Sequence, residues 1–475
     1  MRAQLTLLSF AALAGCASTT TGQQPWAVPQ PERPASWTNG ERAPIPVTGD
    51  WVASFDDPTL SSLIGEALIN SPDLQASAAR VQAARAAAAA EYGSTLPSLN
   101  GGADADWTSN VIDVNDDAVR SEGPGFGLSL IASWEPDLWG RLAAGVAASD
   151  ADLLAAEADF EAARLSITAS TAIAWIQLNT AVRQLDLADE TLDARERTLR
   201  LTERRFRNGL TGALDVRLAR SAVETARASQ LDQMRSTGEA RRAIEVVLGR
   251  YPANEIEASD GVIQLTDIEG TGDPTSLLAR RPDINAAEAR IAAAGFRVEE
   301  ARLALRPSLD LTARLFTSNA DIVDALDPAF IAGQVASSLT APIFNGGTIK
   351  ANIEAAEAQA RLTAANYVTT VLTAWQEVEN ALAADELLAA QVESQARALD
   401  EAEQAEILAE RQYQNGLSTI FNLIDAQTRR INAEASLITA QNARAINRVQ
   451  FHLALGGNLP ENTELEDQFS EGSDL

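Results

Sequence analysis

The sequence predicts an α+β membrane protein made of two copies of one unit, each joining a long antiparallel helical hairpin to a pair of strands. Three observations carry this. No proline occurs between Pro136 and Pro252, or between Pro342 and Pro460. The chain repeats itself at an offset of 207–210 residues. Between the opening helix and the long hairpin of each copy, apolar residues recur with period two, the periodicity of strands.

Composition removes most chemistry. Among 475 residues there are one His, one Cys and two Met, so no His/Cys metal cluster and no internal disulfide can be assembled. His452, the one candidate imidazole base, sits between Phe451 and Leu453 on an Ala/Leu-rich helix and reads as a packed or surface residue. Neither a phosphate-binding loop nor a dinucleotide fingerprint is present, so an enzyme is not expected, nor a cofactor. A formal net charge of −29 with one lysine, Lys350, argues against nucleic-acid partners.

The first element is an address. Arg2, the apolar run Leu5 to Leu13, and then Leu13-Ala14-Gly15-Cys16 read as a cleavable export signal over residues 1–15. A cysteine at the cut is the bacterial lipoprotein signature, so Cys16 is the expected lipidation site; the alternative is an ordinary signal with an accidental cysteine. Ala17 and Ser18 follow, neither of them the Asp that favours inner-membrane retention, which points to the outer membrane. Residues 16–50 hold six prolines between Pro25 and Pro46 and read as an extended linker.

Residues 51–260 form the first repeat and 261–460 the second, leaving an acidic tail, 461–475, of disordered composition. Ser71-Pro72-Asp73-Leu74 through Leu96-Pro97-Ser98-Leu99 is echoed by Arg281-Pro282-Asp283-Ile284 through Arg306-Pro307-Ser308-Leu309. Strand pairs of about ten residues should follow, with Phe126, Leu128, Leu130 and Ala132 on one face of the first pair and Leu309, Leu311, Ala313 and Leu315 in the second. Loops holding Asp113 and Asn115 to Asp117, and Asn319 to Asp327, would lie at the outer face. Four strands packed as ordinary hairpins on the helices are the alternative. If the strands span a bilayer, several chains must share one barrel, because four strands cannot close.

The proline-free stretches are rich in strong helix formers, and Leu178, Leu185, Leu192, Leu199 and Phe206 recur every seven residues as a coiled-coil seam. Each stretch is punctuated once by Asn-Gly: Asn208-Gly209-Leu210 and Asn415-Gly416-Leu417-Ser418. Asn-Gly accepts left-handed backbone angles, so both are expected to be sharp tips between two helices, the entering one nearly twice as long as the leaving one.

These features together resemble the TolC-like outer-membrane efflux proteins, in the branch of lipoproteins serving resistance-nodulation-division pumps. The motifs are Trp134-Glu135-Pro136-Asp137-Leu138-Trp139-Gly140-Arg141, Ala341-Pro342-Ile343-Phe344-Asn345-Gly346-Gly347, Arg280-Arg281-Pro282-Asp283-Ile284 and Tyr413-Gln414-Asn415-Gly416-Leu417. The resemblance implies a homotrimer with a shared twelve-stranded transmembrane β-barrel, four strands per protomer, continued by a trimeric α-barrel across the periplasm. It implies docking of Asn208, Gly209, Leu210, Asn415, Gly416, Leu417 and Ser418 to a periplasmic adaptor and, through it, an inner-membrane pump. It places Asp425 in a ring of aspartates at the periplasmic aperture, with Asn422 where relatives often carry a second Asp. It matches Tyr413 and Asp215 to positions whose links between neighbouring hairpins hold the closed state. With Ser418 and Thr419 in the adjacent turn, a hydroxyl–carboxylate latch is expected. The alternative for each acid is a solvated helix face. Alternative functions are the duct of a type I protein-secretion exporter and a coiled-coil lipoprotein tether.

Overall fold

A computed structural model describes residues 51–114, 117–259 and 273–457, with isolated positions among 31–38 and 265–271. Cys16 and the acidic tail lie outside the described residues.

Each half opens with two short helices, α1 (Pro58–Asn70) and α2 (Pro72–Ser94) in the first, α5 (Pro274–Arg280) and α6 (Pro282–Leu303) in the second. Asp57 caps α1 by accepting the amides of Thr59 at 2.9 Å and Leu60 at 3.1 Å; Asp273 caps α5 through Thr275 and Ser276, both at 2.8 Å. Pro72 and Pro282 start the second helices, since proline lacks the amide that a first turn leaves unused. Asp57-Pro58-Thr59 and Asp273-Pro274-Thr275 are thus a repeat landmark that the sequence comparison above passed over.

The long hairpins follow: α3 (Arg141–Arg207) with α4 (Ala213–Val247), and α8 (Thr348–Gln414) with α9 (Ile420–Ala454). The entering helices have 67 residues and the leaving ones 35. Sixty-seven residues extend about 100 Å at the α-helical rise. All four helices stop in the same way, with the amide two positions past the cap returning to a carbonyl in the last turn: Leu210 to Arg205, Arg250 to Glu245, Leu417 to Gln412 and Gly457 to His452, at 2.8–3.0 Å. The left-handed residue is always the glycine, with φ of 70° at Gly209, 71° at Gly249, 74° at Gly416 and 78° at Gly456. The asparagines of the tips stay right-handed, with φ of −88° and −82°, so the conformational burden falls on glycine alone. Gly249 has a second reason: a Cβ there would lie 2.6 Å from the Asn70 carbonyl oxygen, where α4 ends against the turn between α1 and α2.

Two apolar cores sit at mid-height, one per half. Trp175, Leu178, Leu60, Ile64, Leu74, Ile244 and Val449 build the first; Trp375, Val371, Val378, Ile284, Ile291 and Phe451 build the second. Each tryptophan is held at its nitrogen, Trp175 by Asp57 at 2.7 Å and Trp375 by the Pro274 carbonyl at 3.3 Å, so the indole is buried without an orphaned N–H. His452 lies at the edge of these cores, stacked on Trp51 with 5.5 Å between ring centres.

The expected leucine seam is not one continuous buried line. Leu178 is fully buried, Leu185, Leu192 and Leu199 are half-buried, and Phe206 is exposed. The cause is a change of partner: α3 packs on α1, α2 and α6 above and on α4 and α9 below, so its buried face turns along its length. Near the tip that face is Ala188, Arg195, Thr198 and Thr202.

The four strands form one antiparallel sheet in sequence order: β1 (Ser98–Val114), β2 (Asp117–Trp134), β3 (Ser308–Asn319) and β4 (Ala332–Thr340). β3 and β4 have the length of membrane strands, but β1 and β2 are longer than expected, at 17 and 18 residues. Asp113 pairs with Ala118 and Asp117 with Val114, so most of the expected first loop is strand, because the ladder continues to the turn itself. Positions 115 and 116 lie outside the described residues. The second loop contains a short helix, α7 (Ile322–Ala325), and Asn319 still belongs to β3.

The register sorts the side chains by face. Leu99, Trp107, Leu128, Leu130, Leu311, Leu315, Val335 and Leu339 share one face; Asn100, Asp104, Asp106, Thr108, Asp310, Arg314 and Gln334 share the other. Among the described residues β1 and β4 have each one edge without a strand partner.

Candidate functional site

The two hairpins meet along a seam between α3 and the α8–α9 pair, and that seam is a ladder of polar contacts. Descending toward the tips, Thr180 donates to Asn442 at 3.0 Å, Arg183 to Gln441 at 2.8 Å and Gln184 to the Ala435 carbonyl at 3.2 Å. Arg195 then donates to Gln427 at 2.7 Å and Thr428 at 2.9 Å, and Gln427 donates to Thr198 at 3.3 Å. Thr202 and the Tyr413 hydroxyl share a bond of 2.9 Å, and Arg205 closes the ladder on the Gln414 carbonyl at 3.1 Å. Burial pulls the Arg195 guanidinium below its usual pKa, with Glu406 opposing and Arg430 adding to the effect. Arg430 itself joins α9 to α8 through Glu406 at 2.6 Å.

The second tip is packed as well as bonded. Tyr413, only 2 % exposed, forms an apolar knot with Ile420 and Leu423 against Leu201 of α3, and the Arg205 guanidinium lies 5.1 Å from its ring centre. Tyr413 therefore does link neighbouring hairpins, within one chain. The Asp215 carboxylate accepts from Thr211 of its own tip, its one bond among the described residues. Among the described residues the expected latch at Ser418 and Thr419 is not formed. The Asn422 amide donates to the Ser418 hydroxyl at 3.1 Å, and Thr419 precedes α9 without a side-chain cap. The hydroxyl–carboxylate pair instead occupies the other tip, and Asp215 and Asn422 are equivalent positions at the offset of 207.

Asp425 is exposed but paired, accepting from Arg429 one turn along at 2.8 Å. This bond and its charge raise the Arg429 pKa. Leu210 and Leu417 stand out from the two tips, Leu417 at 79 % exposure, with Leu214 and Phe421 exposed just behind them. Above the tips, a groove of about 670 Å³ runs between α3 and the second hairpin. Arg197, Arg200, Arg204 and Arg207 line it from α3, Glu410 and Gln414 from α8. Arg200 pairs with Glu196 at 3.5 Å, whereas Arg197, Arg204 and Arg207 make no ion pair among the described residues. In a chain of net charge −29 this is a local reversal of sign.

Sequence reasoning missed Arg195, Thr202 and Gln427, the centre of the seam. A signal was available, since Arg195, Thr198 and Thr202 are spaced to share one helix face, but a polar stripe reads as solvated until a partner helix is known.

The outer membrane efflux protein family matches residues 63–250 and 274–457 of this chain, and the chain belongs to that family. It is 30 % identical over 461 residues to the toluene efflux pump outer membrane protein TtgF of Pseudomonas putida, covering 95 % of this chain and 96 % of that one. It is 29 % identical over 451 residues to the cation efflux system protein CusC of Escherichia coli, covering 94 % and 96 %. The solved outer-membrane channel OprN superposes with a TM-score of 0.82 at 28 % identity, over 91 % of this chain and 99 % of that structure.

Proposed function

We propose that three copies of this chain form the outer-membrane exit duct of a tripartite efflux system. Such a duct would pass small molecules from a periplasmic adaptor and its inner-membrane pump to the exterior. The observation that carries the reading is the sheet: apolar on one face, polar on the other, open at both edges, and continuous with two hairpins about 100 Å long. An open edge in lipid is costly, and closure needs about eight strands or more, which three chains of four exceed. The apolar face then meets lipid and the Asp104, Asp106 and Arg314 face lines a wet lumen. Cys16 would add a lipid anchor at the membrane.

In this assembly the exposed leucines of the tips and the basic groove above them suit a helical, partly acidic adaptor. The polar ladder holds the tips together, and Asp425 faces the axis where the hairpins converge. Relatives of similar identity are named for toluene and for cations, so the cargo is set by the partners rather than by the duct.

Single-channel conductance of the purified trimer in planar bilayers tests the reading, with Asp425→Ala and Arg429→Ala beside wild type. Small cation-selective steps are expected. Asp425→Ala should weaken the selectivity, and Arg429→Ala should strengthen it by freeing the carboxylate. A folded trimer that forms no channel would overturn the proposal; identical selectivity in all three would move the gate away from Asp425.

A further inference from the structure

The segment joining β3 to β4 does not rise away from the rim. After Asn319 it folds back over the apolar face of the sheet, where Thr317 ties it down. The Thr317 hydroxyl donates to the Ala325 carbonyl at 2.8 Å and accepts the Leu128 amide at 3.2 Å. Ala325 is buried as a result. Between this strap and the strands lies a cavity of about 600 Å³. It is open on one side, lined by Ala103, Leu128, Leu130 and Leu315 from the strands and by Leu326 and Ile331 from the strap. That volume is in the range of cavities that hold small ligands, about 300–1,000 Å³.

The strap is apolar on its outer side too, with Ile322, Val323 and Phe330 exposed. Two of its three acids are spent on structure: Asp321 caps α7 through the Val323 amide at 2.9 Å, and Asp327 accepts the Ala329 amide at 2.8 Å. A loop surrounded by water gains nothing from this composition, whereas one lying at the edge of a bilayer does. Its height agrees. Thr317 is nine residues along β3 from Ser308, about 30 Å along the strand. At ordinary barrel tilts that is a rise of about 20–25 Å, near the top of an apolar band about 25 Å tall.

We propose that this cavity is a lipid site, in which an acyl chain of an outer-leaflet lipid lies between strap and strands with its headgroup level with α7. The inference rests on the apolar face being the one that meets lipid. The occupant is chosen by continuity, because the strand lining is part of the same apolar face and both walls offer hydrocarbon.

The test is the lipid that survives purification. Trimer washed in mild detergent should retain one acyl-bearing lipid per protomer, and the mass of the released molecule identifies it as phospholipid or lipopolysaccharide. Gly101→Phe points from β1 onto the strand lining, and a Cβ there meets nothing within 4 Å, so the variant can fold. It should lose the lipid while remaining a conducting trimer. Gly123→Phe, on the polar face with equally open space, should keep it. Wild type carrying no lipid, or Gly101→Phe carrying as much as wild type, would overturn the proposal. So would a Gly101→Phe trimer that falls apart when wild type holds no lipid, since a neighbouring chain would then fill the cavity. Failure of the duct reading is seen separately, as absence of conductance in wild type.

Discussion

The two tips share a backbone and differ in what holds them. Both end in an Asn-Gly cap with an exposed leucine, yet Tyr413 is buried while its equivalent, Phe206, is 46 % exposed. The second tip is fastened to α3 by an aromatic ring, two aliphatic side chains and a hydroxyl pair. The first holds its own turn through Thr211 and Asp215 and crosses the seam through Arg205, which donates to the Gln414 carbonyl. Duplication thus preserved the turn and divided the work: the second tip buries its aromatic ring in the seam, and the first leaves its equivalent ring exposed.

Removing the anchors should break that contrast most. Tyr413→Ala deletes a buried aromatic side chain, at a cost of about 3–5 kcal/mol. Hydrogen exchange should report it as amides of the second tip opening about a hundredfold faster or more. Phe206→Ala should leave the first tip's exchange nearly unchanged, and equal effects at both tips would remove the distinction.

The other ends of the hairpins offer a second contrast, between the equivalent residues Glu245 and His452. Burial alone would raise the Glu245 carboxyl, but the amides of Asn254, Glu255 and Ile256 bring it below its usual range. Burial, helped by Arg448, pushes His452 down to about 4 from 6.5. The unfolded chain therefore binds the His452 proton more readily. Its contribution is fully present above pH 6.5 and is lost as the pH falls toward 4, up to about 3 kcal/mol. Urea unfolding followed across that window should show the loss in wild type and a flatter profile in His452→Gln.

Smaller substitutions sharpen the comparison of the tips. Tyr413→Phe keeps the ring and removes the bond to Thr202, for about 1 kcal/mol. Its expected readout is longer open dwell times in single-channel records with little change in conductance. Asp215→Asn weakens a contact confined to its own tip and a favourable charge at the start of α4, worth about 0.5 kcal/mol, and should leave those dwell times unchanged.

The hairpins, their tips and the strand pairs were legible because local chemistry decides them. Helices of this length require the absence of proline, a reversal of this sharpness requires Gly209 or Gly416, and period two follows from the pleat. What escaped depends on partners distant in sequence. Leu185, Leu192 and Leu199 carry the heptad spacing, but α3 exchanges α1, α2 and α6 for α4 and α9 along its length, so the buried line passes to Arg195 and Thr202. Arg195 meets Gln427 across 232 positions, and nothing near either residue announces the other. Likewise α7 folds back because Thr317 reaches Ala325, a contact fixed by the sheet rather than by the loop's own composition.

The polar ladder has a thermal consequence. Exposing hydrocarbon to water raises heat capacity, and exposing amides, hydroxyls and guanidinium groups lowers it. Parting α3 from α9 along the Arg183–Arg205 stretch uncovers both, the polar ladder and the knot of Tyr413, Ile420 and Leu423 on Leu201, so the two effects offset, and water can take over each lost hydrogen bond. The free energy of opening should therefore vary almost linearly with temperature, without the curvature that governs the unfolding of the mid-height cores. An aperture closed by such a seam would respond to its partners in much the same way in a cold cell and in a warm one.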